Sequence, residues 1–336
     1  MIPMNTLIIG CGSIGACKPD LYDFKGRSPA LTHAHAMRKC SWIQEIGFVD
    51  EDYNKAKQAA CKWKGIAFET LVDGLDKLRP SLVTIAVPTE EHYQVYRDAV
   101  DLSENQAMII LEKPVGVNLS EAEGIERLAN HYGNLTMVNY SRNYLPPYRA
   151  LKTDLLEGRY GEIRSCRLLY GRGLYREASH FLALAGEWFG KLLFSQALFG
   201  SEIYDLVGET GSTPDFSTGA VLVFQKCPLV YLQPADGRDF SIFEIEIITS
   251  KGILRLVEHG KYLYQYPLIP EPVYGNYSTV SSEPAIRDMR LEKSLEYLYE
   301  TAGWLWSDPE AKDLSQFVTL ESAVEVQKIL NRILPR

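Results

Sequence analysis

The 336-residue sequence predicts two domains. The first is an α/β domain with a doubly wound parallel sheet over residues 1–140. The second, over 141–336, is an α+β domain with a largely antiparallel, open sheet. Three observations predict this. Short apolar runs alternate with helical stretches through the first 140 residues, and buried strands separated by helices pair in parallel. A glycine-rich turn follows the first apolar run directly. Beyond residue 160 the strand-like runs lie closer together and are joined by turns, which favours antiparallel neighbours. The length also exceeds what one hydrophobic core commonly serves.

In the first domain, residues 7–9, 46–49, 82–87, 108–111 and 135–138 read as strands. Residues 52–64, 89–101 and 120–132 read as helices, the last opened by Ser120 and Glu123 at capping-box spacing. In the second, strands are expected at 163–170, 219–224, 229–233, 242–249 and 253–257, with Lys251-Gly252 as the last turn. Alternating Tyr262, Tyr264 and Tyr266 read as one face of a further strand. Helices are expected at 179–189, 286–306 and 319–333, the last two free to pack back on the first domain.

Composition narrows the function. A net charge of −8 with no dense Lys/Arg stripe argues against nucleic acid as a partner. No run of about 18 apolar residues is present, so no membrane-spanning helix is expected. The six cysteines, at 11, 17, 40, 61, 166 and 227, form no C-x-x-C pair and read as small buried hydrophobes in a reducing compartment. With no basic leader before the first strand, the expected location is the cytoplasm. No His, Cys, Asp or Glu cluster has metal-ligand spacing, so no metal is expected.

The apolar run Leu7-Ile8-Ile9 enters Gly10-Cys11-Gly12-Ser13-Ile14-Gly15, the G-x-G-x-x-G pattern after a strand. The first glycine permits a tight turn, the second lets backbone approach a pyrophosphate, and the third allows close helix packing. Asp50, ending the second strand, is expected to meet the adenosine ribose hydroxyls or to cap the helix that follows; both roles can coexist. Asp50-Glu51-Asp52 would repel a 2′-phosphate, which favours NAD over NADP as cofactor. The spacing from loop to acid is longer than usual, because residues 17–27 intervene. Pro19 breaks the helix, and Ser28-Pro29 reads as a cap and first residue restarting it through His33, Ala36 and Met37. The intervening segment is either a flap beside the phosphates or the substrate mouth, or a neutral surface insertion.

A second motif stands at the end of the run Met108-Ile109-Ile110-Leu111, which stops at Glu112-Lys113-Pro114. Together with the glycine loop this resembles the Gfo/Idh/MocA family, named from glucose–fructose oxidoreductase and inositol dehydrogenase. Ala86-Val87-Pro88-Thr89-Glu90-Glu91-His92 is similar to that family's strand-end segment beside the cofactor. Asn139-Tyr140-Ser141-Arg142-Asn143-Tyr144, Pro147-Tyr148 and Gly158-Arg159-Tyr160-Gly161-Glu162-Ile163 follow its domain-crossing pattern. Phe243-Glu244-Ile245 with Ser250-Lys251-Gly252 resembles its C-terminal sheet. The resemblance implies a Rossmann domain, hydride transfer at a sugar-like carbon, and homodimers or homotetramers packed through the open sheet. Gly10, Gly12, Ser13, Ile14, Gly15, Asp50, Ala86, Val87, Pro88, Thr89, His92, Glu112 and Lys113 are the expected cofactor-binding residues.

The family lysine carries over to Lys113, and its histidine to His180 within Ala178-Ser179-His180-Phe181. Oxidising a secondary alcohol requires removal of the hydroxyl proton as hydride departs, and an imidazole of pKa near about 6.5 suits that task. His180 is therefore expected as acid/base and Lys113 as its partner, the reverse assignment remaining open. Arg142, Tyr175 and Arg176 are expected to face substrate. One departure stands out: where many members carry an aspartate four residues before the histidine, this chain has Arg176. Arg176 offers a fork for a carboxylate or phosphate, or a surface ion pair. A cofactor-binding protein without turnover is the competing class. His33 and His35 on the restarted helix, with His131 and His259, are weaker candidates.

Overall fold

Aliphatic runs buried on both faces build the first sheet. The computed structural model describes residues 3–19, 23, 29–103, 107–198, 202–204, 215–273, 275–308 and 317–334. The chain divides into two compact units, Met1–Tyr144 with Glu292–Gln327, and Leu145–Leu291 with Lys328–Arg336.

The first unit runs β1 (Met4–Ile9), α1 (His33–Lys39), β2 (Ile43–Val49), α2 (Tyr53–Trp63), β3 (Ile66–Ala67), α3 (Leu71–Leu78), β4 (Leu82–Ile85), α4 (His92–Asp101), β5 (Met108–Leu111), α5 (Leu119–Tyr132) and β6 (Thr136–Val138). The six strands are parallel in the order β3-β2-β1-β4-β5-β6. Every residue of β4 and β5 is buried, as a sheet covered on both faces requires. The order reverses between β1 and β4, and ligands of open α/β sheets bind at that switch point, beyond the carboxyl ends of the strands.

Three expectations are corrected here. α5 starts at Leu119, not at Ser120: Asn118 caps it by accepting from the Glu121 N–H, and Glu121 accepts from the Val117 N–H. The reciprocal pair therefore sits two residues before Ser120 and Glu123. α1 begins at His33 with Thr32 as cap, not at Ser28-Pro29; Ser28 lies outside the described residues. β3 and α3 were not expected, although Thr70 caps α3 and Leu75 and Leu78 are buried on one face.

The second unit contains α6 (Pro146–Leu156), β7 (Ile163–Tyr170), α7 (Ser179–Phe189), β8 (Leu192–Ala197), β9 (Glu202–Tyr204), β10 (Asp215–Ser217), β11 (Ala220–Phe224), β12 (Cys227–Pro234), β13 (Phe243–Thr249), β14 (Gly252–Val257), β15 (Tyr262–Pro270), β16 (Ser278–Val280) and β17 (Ala285–Asp288). Nine strands form the order β16-β15-β14-β13-β7-β12-β11-β8, with β17 also paired to β15. All pairs are antiparallel except β7 with β12. The core joins rings of α6 and α7 to the sheet: Tyr148 stacks on Trp188, and Phe189 meets Phe224 edge-on at 6.1 Å.

The helix expected over 286–306 is corrected. Ala285–Asp288 is strand β17, in register against 262–265 of β15, and α8 (Ser294–Ser307) starts later. Pairing with an open sheet edge overrides the local preference. α8 belongs to the first unit, where Leu295, Leu298, Tyr299 and Leu305 join a core with Met37, Trp42 and Ile43. α9 (Leu320–Ile333) ends the chain's secondary structure.

Candidate cofactor and catalytic site

The carboxyl ends of β1, β4, β5 and β6 are stitched together by backbone. The Ala86 N–H donates to the Ile9 carbonyl at 2.8 Å, Glu112 N–H to Ile85 at 3.1 Å, and Asn139 N–H to Leu111 at 2.9 Å. This brings the glycine loop, the segment from Ala86 to Thr89 and the Glu112-Lys113-Pro114 motif to one edge of the sheet. Gly10 has φ +93°, and a Cβ there would lie 2.6 Å from the Ala86 carbonyl oxygen. Gly15 is as tight, with the Gly10 oxygen 2.0 Å from the corresponding point. Gly12 differs: no heavy atom lies within 4 Å of its missing Cβ. Such an open cradle in the loop is what a pyrophosphate approaching the backbone needs, so these residues fit a dinucleotide.

The loop is not followed directly by a full helix, in keeping with the break expected at Pro19. Ala16 and Cys17 N–H both bond the Gly12 carbonyl, making a single turn. The Ile14 and Gly15 carbonyls then accept from His33 and Ala34 N–H, each at 3.0 Å. His33 and Ala34 thus bond where residues 18 and 19 of an unbroken helix would, which splices α1 onto the loop's single turn. The expected restart at Ser28-Pro29 fails because the splice sets the register. Asp23 anchors the insertion: fully buried, it accepts from Leu31 N–H, Thr32 hydroxyl and His35 Nδ1. His35 in turn stacks on Trp63 at 5.0 Å. Residues 20–22 and 24–28, where the flap was expected, lie outside the described residues.

Asp50 is held at the loop, and the cap it was expected to supply to α2 comes from Asp52 instead. Asp50 Oδ2 accepts from the Cys11 N–H at 2.7 Å and its Oδ1 from Asp52 N–H at 3.0 Å, while Asp52 caps α2. The carboxylate is therefore fixed beside the glycine turn.

His92 is a brace in this edge. Buried at 1% exposure, it sets Nδ1 against the Pro114 carbonyl at 2.9 Å and Nε2 against the Val87 carbonyl at 3.1 Å. It ties the 86–89 segment to the lysine loop, whose Lys113–Pro114 peptide is cis. Burial pushes the imidazole below its ordinary value, against the pull of the Val115, Val87 and Pro114 carbonyls and the Glu112 charge.

Glu112 is held at this edge by side chains. Its Oε1 meets His33 Nε2 at 2.8 Å and Asn139 Nδ2 at 2.5 Å. His33 Nδ1 meets the Tyr299 hydroxyl at 2.9 Å, which meets the Thr84 hydroxyl at 2.9 Å. Burial alone would raise the Glu112 carboxyl, but His33, Asn139 and the Lys113 charge outweigh it and hold it below the ordinary range. Sequence reasoning passed over these partners. His33 was set among the weaker histidines, and Tyr299 lies 266 residues from it. The one available signal was position, since His33 opens the helix that continues the glycine loop.

Arg142 sits in a 3-10 turn, Ser141–Tyr144, of the first unit. Tyr175, Arg176 and His180 belong to the second, where a π-helical turn, Leu174–Ala178, runs into α7. His180 is in the first turn of α7 and half-buried. An acid from elsewhere in the second unit binds the backbone of this turn. Asp215 of β10, buried, accepts from the backbone N–H of Tyr175 at 3.0 Å and of Arg176 at 2.9 Å. Gly173, at φ +91°, makes room for it, since a Cβ there would lie 2.3 Å from the carboxylate. Burial, with the Asp215 charge second, pushes the Tyr175 phenol up to about 12. Glu177 turns away, accepting from the N–H groups of Gly171 and Arg172. Among the described residues no group of three or more His, Cys, Asp or Glu side chains converges as a metal site. No described helix is long and apolar enough to cross a membrane.

Residues 4–140 match the model of the Gfo/Idh/MocA oxidoreductase family, NAD-binding Rossmann fold. No curated protein sequence matches the chain. Among solved structures, the super-repressor mutant of Gal80p from Saccharomyces cerevisiae is 17% identical with a TM-score of 0.75, covering 98% of this chain and 95% of that one. An oxidoreductase from Thermotoga maritima is 13% identical, TM-score 0.74, with 98% and 95% covered. An oxidoreductase from Agrobacterium radiobacter, in complex with NAD+, L-tartaric acid and magnesium, is 16% identical, TM-score 0.70, with 98% and 94% covered. At such identities the likeness is one of fold. The family match adds the cofactor: over residues 4–140 this chain matches the NAD-binding Rossmann fold of the Gfo/Idh/MocA oxidoreductases.

Proposed function

We propose that this protein is an oxidoreductase of CH–OH groups, acting on a sugar, a sugar acid or a nucleotide-linked sugar. The observation that carries the reading is that Lys113, a held Glu112 and the open Gly12 cradle share the carboxyl edge of the first sheet. Bound NAD would supply the hydride acceptor, and its reduced form the donor. Gly10 to Gly15, Asp50, the segment from Ala86 to Thr89 and Lys113 would hold it, with His92 bracing the edge. In the oxidative direction, His180 takes the hydroxyl proton onto a ring nitrogen while the Lys113 ammonium stabilises the developing charge on oxygen. In reduction each reverses its role. The exchanged assignment, Lys113 as base, uses the same two groups. Arg176, with Arg142 and Tyr175, tilts the substrate toward an anion such as a uronic acid or a sugar nucleotide.

A second reading is a cofactor-binding sensor or partner protein without turnover. It is supported by the neighbour described as a super-repressor mutant and by Arg176 where the family commonly has an acid. Cofactor fluorescence with a panel of sugars and sugar acids separates the two. Turnover of any candidate supports the enzyme. Tight NADH binding with no turnover across neutral and charged candidates supports the sensor.

The family resemblance also underlies a homodimer or homotetramer built on the second-domain sheet, while the scattered, unpaired cysteines favour a cytoplasmic place. One face of that sheet carries Arg167, Glu246 and Arg255 in ion pairs, beside stacked Tyr264 and Tyr266. Sedimentation of the purified chain tests the assembly, and a monomer at micromolar concentration would refute it.

A further inference from the structure

Glu112 has more invested in it than a structural carboxylate needs. Four segments distant in sequence converge on it: α1 through His33, α8 through Tyr299, β4 through Thr84 and the exit of β6 through Asn139. His33, Thr84 and Tyr299 are fully buried, and the Glu112 side chain is 13% exposed. A carboxylate removed from water is costly unless hydrogen-bonded, and apolar residues of similar volume would serve packing as well.

The direction of each bond follows from chemistry. An ionised carboxylate only accepts, so Asn139 presents its amide nitrogen and His33 presents Nε2–H. With His33 neutral, Nδ1 is a lone pair and the Tyr299 hydroxyl donates to it, while the Thr84 hydroxyl donates to Tyr299. With His33 protonated, the two outer bonds reverse, Nδ1–H donating to the Tyr299 hydroxyl and that hydroxyl to Thr84. The chain ends at Thr84, which is 0% exposed. It therefore has no outlet to water and cannot conduct protons through that end; its effect is to fix the place and charge of Glu112. Lys113 follows Glu112 directly, and their charges interact. An anion held beside an ammonium favours the charged ammonium.

We infer that His33, Tyr299 and Asn139 are positioning residues that hold Glu112 as an ionised counter-charge to Lys113, keeping that ammonium protonated for the reaction. The groups that face Glu112 electrostatically are His33 on α1, Lys113 in its own loop, His92 on α4 and Tyr299 on α8. Of these, His33 donates to it directly. The value of the inference for catalysis rests on Lys113 being the reacting lysine, whereas the pairing itself does not.

The test is competitive acetylation of lysines by trace acetic anhydride from about pH 7 to 11, read peptide by peptide by mass spectrometry on the full chain without substrate. The exposed Lys77 serves as internal standard. Glu112→Gln should lower the labelling midpoint of Lys113 by about one pH unit or more. His33→Ala should lower it by less, in the same direction, and His33→Gln, which keeps a donor toward Glu112, should return it. An unmoved Lys113 midpoint in Glu112→Gln overturns the inference. Should His33→Ala fail to fold, Glu112→Gln and Tyr299→Phe decide. In active enzyme the alkaline limb of the kcat profile should move down with the same midpoint. A moved midpoint in a protein with no turnover would retain the counter-charge and defeat the enzyme reading. An unmoved midpoint in an active enzyme would do the opposite.

Discussion

The α-carbon of Gly10 abuts the carbonyl of Ala86, so closely that a Cβ would stand 2.6 Å from the oxygen. Two strand ends, β1 and β4, are thereby locked at the switch point of the sheet. Gly12, two residues on, faces nothing within 4 Å. The two glycines thus serve different ends and separate cleanly by mutation. Gly10→Ala should cost about 3 kcal/mol or more, through backbone clash and the positive φ. Gly12→Ala should change stability by less than about 0.5 kcal/mol, yet weaken NADH binding roughly tenfold or more. Urea denaturation and cofactor fluorescence read the two effects, and equal effects of both substitutions would refute the division of labour.

Lys113→Ala and His180→Ala should each lower turnover by about two orders of magnitude or more, with NADH still bound. Steady-state rates beside cofactor titrations check this. Wild-type turnover in both variants would remove these two residues from the chemistry.

His92 links stability to pH. Its folded-state pKa is depressed by burial below the ordinary 6.5, so between the two values the unfolded chain binds the extra proton. Its contribution is therefore fully present above 6.5 and declines as pH falls through that value toward the folded one. The wild type should lose stability between pH 7.5 and 5.5, and His92→Gln should lose less over the same interval. Urea midpoints at the two pH values measure it; an equal loss in both proteins would contradict the assignment.

Asp23 is the buried acceptor of three donors, from Leu31, Thr32 and His35. Asp23→Ala leaves those donors unmet and should destabilise the chain by about 3 kcal/mol. Asp23→Asn, which keeps one carbonyl oxygen, should lose less. Thermal melts distinguish them, and a neutral Asp23→Ala would show that the insertion is not anchored through this residue.

What was legible in the sequence was local. The glycine loop, Asp50 at the end of β2 and the abrupt stop at Glu112-Lys113-Pro114 are each written in a few adjacent residues, because tight turns and buried strands restrict residue type directly. β5 and β7 were located to the residue for that reason. The ends of α1 and α5 were misread where a nearer cap, Thr32 or Asn118, outcompeted the one expected. The expected 286–306 helix was placed too early at its start, where an edge strand of the second sheet claimed residues 285–288.

By itself, then, the sequence determined a nucleotide-binding α/β domain and the lysine at its fifth strand, since these depend on backbone geometry and periodic burial. Only the tertiary structure decided what surrounds that lysine. His33 meets Glu112 across 79 residues and Tyr299 across 266, and Asp215 reaches Tyr175 from 40 residues away. Hydrogen bonds of this kind obey distance in space rather than spacing along the chain, so no local pattern announces them.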